Sequence, residues 1–151
     1  MTVLEAEVVK AVPAGVAPAF FRRVLARASR LPEIAARLPE GAATVAIRVT
    51  GDEELRELNR TYAGDDHATD VLSFAGSAQH VGDIAISWPA VGRQARQFGH
   101  DERTEAALLA VHGLLHLLGW DHATASERKE MTRLTVAALA SSGIELAPRR
   151  L

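Results

Sequence analysis

A chain of 151 residues with 48% hydrophobic and 24% charged side chains has the composition of one globular domain over residues 1–151, which excludes a disordered or collagen-like protein. It has no cysteine, so a disulfide scaffold, a thiolate-held metal and thiol catalysis are excluded together. With 17 Lys and Arg against 19 Asp and Glu the net charge is −2, so nucleic acid would have to be held by local positive potential rather than by bulk charge.

The first residues, Met1-Thr2-Val3-Leu4-Glu5-Ala6-Glu7, are acidic where a signal peptide needs a basic stretch. Leu4–Val12 alternates apolar residues with Glu5 and Glu7 and predicts a half-buried strand. Ala17–Leu31 predicts a helix, with Phe21, Val24, Leu25 and Ala28 on one face and Arg23, Arg27 and Arg30 opposite, flanked by Arg22. Ala42–Thr50 predicts a second strand through Val45, Ile47 and Val49. Asp52 suits an N-cap for a helix through Asn59, ended by Gly64-Asp65-Asp66. Two short strands follow, Asp70–Phe74 and Asp83–Trp88, around a polar loop containing Gly76 and Gly82.

From Pro89 the chain reads as helical, with a break at Gly99-His100. Asp101 caps an apolar helix that runs to Leu118, and Gly119 supplies its left-handed stop. Thr124-Ala125-Ser126-Glu127 is a capping box opening a last helix that ends near Gly143. The expected fold is therefore α/β (α+β): a small mixed sheet of about four strands packed with helices, the central apolar helix carrying two histidines. The apolar run Ala106–Leu118 is well short of the roughly 20 residues that span a bilayer. A cytoplasmic protein is expected.

Three of the six histidines fall within eleven residues, His112 to His122. Four residues advance an α-helix by roughly 400°, so His112 and His116 stack one turn apart on one face. Gly119 gives the reversal that can return His122 to them. Three neutral imidazoles leave a tetrahedral divalent ion with an open position, the arrangement of a catalytic rather than a structural zinc site. Burying two imidazoles on a leucine-rich helix costs a few kcal/mol unless each nitrogen finds a partner, and one shared ion serves all three. The trio alone leaves the ion open, since imidazoles also suit nickel, copper or iron. Asp121 reads equally as a group orienting a ligand and as a turn residue.

The spacing H-x3-H-x2-G-x2-H also matches metzincin proteases, whose motif places Glu directly after the first histidine as general base. Gly113 stands there instead, so a peptide-cleaving metallohydrolase is a distant alternative. A non-catalytic assembly factor stabilised by its metal is the other.

His112-Gly113-x-Leu115-His116-Leu117-x-Gly119-x-Asp121-His122 resembles the H-G-x-x-H-L-x-G-x-D-H signature of the YbeY family of bacterial endoribonucleases, which act as rRNA maturation factors. Leu58-Asn59-Arg60-Thr61-Tyr62, Thr69-Asp70-Val71-Leu72-Ser73-Phe74 and Gly82-Asp83-Ile84 resemble that family's L-N-x-x-Y, T-D-V-L-S-F and G-D-I blocks, in the same order. The resemblance implies zinc at His112, His116 and His122 and single-strand-specific RNA cleavage. It further implies a place in 16S rRNA 3′-end processing and late ribosome quality control. The implied partners are the small ribosomal subunit, one of its proteins and an Era-type GTPase.

One departure bears on phosphate binding. The family usually has Arg directly after the tyrosine and Lys two positions on, where this chain has Ala63 and Asp65. Arg60, one turn earlier, could replace that planar fork or be an ordinary exposed arginine. Ser73 is expected to look into the metal cleft if Leu72 and Phe74 enter the core. Thr69-Asp70 and Gly82-Asp83 read as turn chemistry slightly more than as substrate contacts. The arginine stripe reads as a solvated face rather than an RNA-binding patch. His67, His80 and His100 receive no role. No general base is identified; Arg60, Asp70, Ser73 and Asp121 are the candidate cleft side chains.

Overall fold

The computed structural model describes residues 2–64 and 69–151. Four strands form one mixed sheet: β1 (Val3–Lys10), β2 (Ala42–Thr50), β3 (Val71–Ser77) and β4 (His80–Ser87), in the order β1-β2-β4-β3. β2 is parallel to both β1 and β4, while β3 runs antiparallel to β4. The helices are α1 (Pro18–Ala28), α2 (Pro32–Ala35), α3 (Asp52–Leu58), α4 (Trp88–Phe98), α5 (Glu102–Leu117) and α6 (Ala125–Ala140). A five-residue π turn, Asn59–Ala63, continues α3 to Gly64, whose φ of 77° ends it.

The alternation in β2 explains which side carries the core. Ala43, Val45, Ile47 and Val49 are fully buried, whereas Thr44, Ala46 and Arg48 face the opposite, more open side. α1 covers the buried side through Phe20, Phe21, Val24, Leu25 and Ala28, with Arg22, Arg23, Arg27 and Arg30 exposed. α5 is buried nearly all round, from Glu105 to Leu115, and lies between the sheet and α6 as the central element of one continuous core. None of the helices among the described residues is long and apolar enough to cross a membrane.

Several details depart from the sequence expectations. The long first helix breaks at Ser29, and Pro32 opens a separate α2, because proline cannot donate into a helix interior. The N-cap of α3 is Gly51. Asp52 is the first helical residue, and its carboxylate accepts from Ser87 Oγ (2.6 Å) and pairs with Arg93 (2.8 Å). β3 and β4 are longer than expected and meet in a two-residue turn, Ala78-Gln79, so Gly76 and Gly82 lie inside strands.

Gly82 is there for a close approach rather than a turn. A Cβ at this position would strike the Phe74 carbonyl and lie 2.5 Å from Leu117 Cδ2, and its φ is +155°. The bare backbone lets the last turn of α5 settle onto the sheet. The facing of β3 is also reversed: Val71 packs against the core, while Phe74 meets the Tyr62 ring at 5.4 Å. Ser73 still faces α5, because it shares the Val71 side. The end expected at Asp65-Asp66, the departure at Asp65 and His67 lie outside the described residues.

Candidate metal centre and cleft

α5 is set by its two ends. Asp101 caps it, its carboxylate accepting from Thr104 N at 2.8 Å. At the other end Gly119, with φ 97°, closes a Schellman turn: its N–H reaches the His116 carbonyl (3.0 Å) and Trp120 N–H reaches that of Leu115 (3.0 Å). Trp120 is buried beyond the turn, with the Arg37 guanidinium 3.7 Å from its ring centroid and donating to the Leu118 carbonyl at 3.2 Å. Asp121 accepts from the His122 backbone N–H at 2.7 Å and so shapes the turn that presents His122.

This geometry brings the trio together. His112 and His116 place their Nε2 atoms 3.0 Å apart, and one ring nitrogen from each of His112, His116 and His122 lies within 4.8 Å of the others. Nitrogens about 2.0–2.1 Å from a tetrahedral ion stand about 3.3 Å from one another, so the donor set fits a divalent cation. Burial lowers the His112 pKa from 6.5 to about 4, helped by His116, His122 and Arg150. Burial also lowers that of His116, helped by His122 and opposed by a backbone hydrogen bond at Trp120 and by Asp121. Both imidazoles are neutral at pH 7, the form that ligates.

Gly113, next to His112, faces the sheet. A Cβ there would lie 2.8 Å from Ile84 Cγ2, so packing dictates this glycine. A glutamate at this position would be directed into β4 rather than toward the trio, which removes the proton shuttle of a metzincin.

The trio opens on a cleft of about 470 Å³. Its other wall is Thr69 and Asp70 with the start of β3, Val71, Leu72, Ser73 and Ala75, and Leu117 lies beside the histidines. Ser73 Oγ donates to the Gly113 carbonyl at 3.1 Å, tying β3 to the helix turn that carries His112. Asp70 accepts from Val71 N (2.8 Å) and from Gln94 Nε2 (3.3 Å). Of the other candidates, Arg60 lies in the π turn, exposed and away from the cleft lining, and Asp121 is exposed in the His122 turn. None of the described lining residues is Lys or Arg.

A second polar cluster was not anticipated. Glu105, fully buried on α5, accepts from Arg150 (2.6 and 3.0 Å), His100 Nε2 (2.6 Å) and Gln94 Nε2 (2.8 Å). Burial raises its pKa, but donation from Arg150, His100 and Gln94 outweighs this and holds it below the ordinary glutamate value. The sequence offers one pointer: Glu105 precedes His112 by two helical turns and shares its face.

A helix-borne histidine pair, with a third histidine returned by a glycine turn beside a mixed sheet, defines a class of α/β proteins whose centre could hold a metal ion. Comparison with known proteins supplies the family. The family model described as Endoribonuclease YbeY matches residues 13–143, and the chain belongs to that family. Relatives named Endoribonuclease YbeY include those of Moorella thermoacetica, 44% identical over 118 residues (69% of this chain, 76% of the relative), and Roseiflexus castenholzii, 39% identical over 130 residues (79% of each). That of Gloeobacter violaceus is 50% identical over 93 residues, a match spanning 54% of this chain and 48% of the relative. The solution structure of TM1509 from Thermotoga maritima shares the fold over the whole of both chains, with a TM-score of 0.57 at 19% identity.

Proposed function

We propose that residues 1–151 act as one metal-dependent endoribonuclease domain that cleaves single-stranded RNA. One observation carries this reading: in a chain of an endoribonuclease family, three ring nitrogens converge within 4.8 Å at the mouth of a cleft. His112, His116 and His122 would hold the ion, with zinc fitting best among divalent metals that accept three imidazoles. Such an ion supplies Lewis acidity to a phosphate and acidifies water near neutral pH.

The remaining chemistry belongs to the chain's own side chains. Asp70 brings a carboxylate to the cleft that can hold a proton at Oδ2, the oxygen less tightly engaged by its neighbours. Ser73 spends its proton on the Gly113 carbonyl, which leaves its oxygen lone pairs to accept from a ribose hydroxyl. Val71, Leu72, Ala75 and Leu117 offer an apolar surface for an unpaired nucleotide, which a duplex cannot present. In this reading the proposed activity serves 16S rRNA 3′-end maturation and late ribosome quality control, supported by the likeness of the chain's motifs to the family's. The proposed substrate is then precursor 16S rRNA, and the proposed partners are the small ribosomal subunit, one of its proteins and an Era-type GTPase. The proposed site of action is the cytoplasm.

Elemental analysis of the purified protein, paired with cleavage of single-stranded RNA, tests the reading. Wild type should carry one divalent ion per chain and lose cleavage with chelator. His116→Ala should lose both ion and cleavage. A His116→Ala protein that cuts RNA as fast as wild type, with contaminating nuclease excluded, would sink the proposal.

A further inference from the structure

The Glu105 cluster connects to the cleft through a single side chain. Gln94, on α4, places its amide nitrogen 2.8 Å from Glu105 Oε2 and 3.3 Å from Asp70 Oδ2. An amide nitrogen carries two protons, and here each has its own carboxylate. Both partners only accept, so the amide has one workable orientation. The far end of the bridge is rigid. Glu105 is fully buried, and Arg150 and His100 also donate to it; His100 is fixed in turn by Ala147 N–H on its Nδ1 (3.2 Å). The near end is the cleft carboxylate: Asp70 Oδ1 is held by Val71 N and Oδ2 by Gln94 alone. α4 itself is pinned at its start, where Ser87 caps Ala90 N and also donates to Asp52, which pairs with Arg93.

We infer that Gln94 is a positioning residue: it transfers the fixed geometry of the buried Glu105–Arg150–His100 cluster to the Asp70 carboxylate and sets where that carboxylate meets RNA. The inference rests on the endoribonuclease reading for its consequence, but the bridge itself can be tested without it. A carboxylate held by one neighbouring backbone N–H can swing about its own χ angles; a second donor anchored in the core removes that freedom. Nothing else among the described contacts restrains Oδ2.

Gln94→Leu removes both amide donors at similar volume. It should lower kcat on single-stranded RNA by about 10- to 100-fold, leaving KM and metal content near wild type. In an Asp70→Asn background the same substitution should cause no further loss, because Gln94 acts through Asp70. An equal loss in both backgrounds, or a Gln94→Leu enzyme as fast as wild type, overturns the inference. Nuclear magnetic resonance of the Gln94 side-chain amide in the intact protein gives a readout independent of activity and of whether Gln94→Leu folds. Asp70→Asn and Glu105→Gln should each shift one proton of the pair; indifference to Asp70→Asn overturns the inference. A wild type inactive on RNA would defeat the endoribonuclease reading, while the amide pair would still decide the bridge.

Discussion

Glu105 and His112 sit two turns apart on the same helix, each at the centre of a polar cluster in an apolar setting, yet the clusters differ in kind. The Glu105 cluster is balanced by the protein's own groups. One carboxylate meets a guanidinium, an imidazole N–H and an amide N–H, so charge and donors balance within the protein. The histidine cluster contains only like groups. Three imidazoles converge, two of them held neutral, and among the described residues no anion or donor set stands between their nitrogens. A balanced buried cluster stabilises and orients; a cluster of bases aimed at one point is organised for a cation from outside. Proximity on one helix face therefore does not imply a common role. The sign and pairing of the groups decide it.

Disrupting the two clusters should have unequal consequences. Glu105→Ala leaves the Arg150 guanidinium and His100 in a buried site without their acceptor, and should cost about 3–5 kcal/mol in urea unfolding. In the metal-free protein His116→Ala should cost only about 1 kcal/mol or less, since it strands no charge. If the two variants were equally destabilised, the contrast between the clusters would disappear.

Acid sharpens the comparison. Above about pH 6.5 His112 is neutral folded or unfolded and contributes no pH dependence. Between about 6.5 and about 4 the unfolded chain takes up a proton that the folded site refuses. Metal-free protein should therefore lose on the order of 3 kcal/mol as pH falls through that window. Glu105, Asp52 and Glu54 have lowered carboxyl pKa values, so their contribution is intact above about pH 4.5 and is lost only at lower pH. Denaturant midpoints from pH 8 to pH 3 should resolve two successive losses, the first smaller in His112→Ala, where only the lowered pKa of His116 remains to drive it. The smallest effect is expected at the turn presenting His122. Arg37→Ala removes the cation over the Trp120 ring and should cost about 0.5–1 kcal/mol, read as a modest drop in thermal midpoint.

Much of the scaffold was legible along the chain. β2 follows its alternation from Ala42 to Thr50. Both ends of α5 and the capping box of α6 are local hydrogen-bonding devices, visible as Asp101, Gly119 and Thr124 with Glu127. The trio was legible for the same reason: its geometry follows from helical rise and one glycine. What escaped was nonlocal. Asp52 has the residue type of an N-cap, but Ser87 and Arg93, 35 and 41 residues away, claim its carboxylate. The facing of β3 could not be chosen from alternation alone: Leu72 and Phe74 are the bulkier pair, yet Val71 packs against the core and Ser73 bonds to α5.

Sequence alone thus determined the periodicities, the caps and the histidine spacing, since each depends on interactions within a few residues where chain geometry leaves little freedom. Only the tertiary structure decided that Gly82 and Gly113 are clearances between α5 and the sheet, and that Glu105, Gln94 and Asp70 form one line from core to cleft. Those relations join separate segments, Asp70 and Gln94 lying 24 residues apart, and which polar groups meet there depends on how the whole core packs.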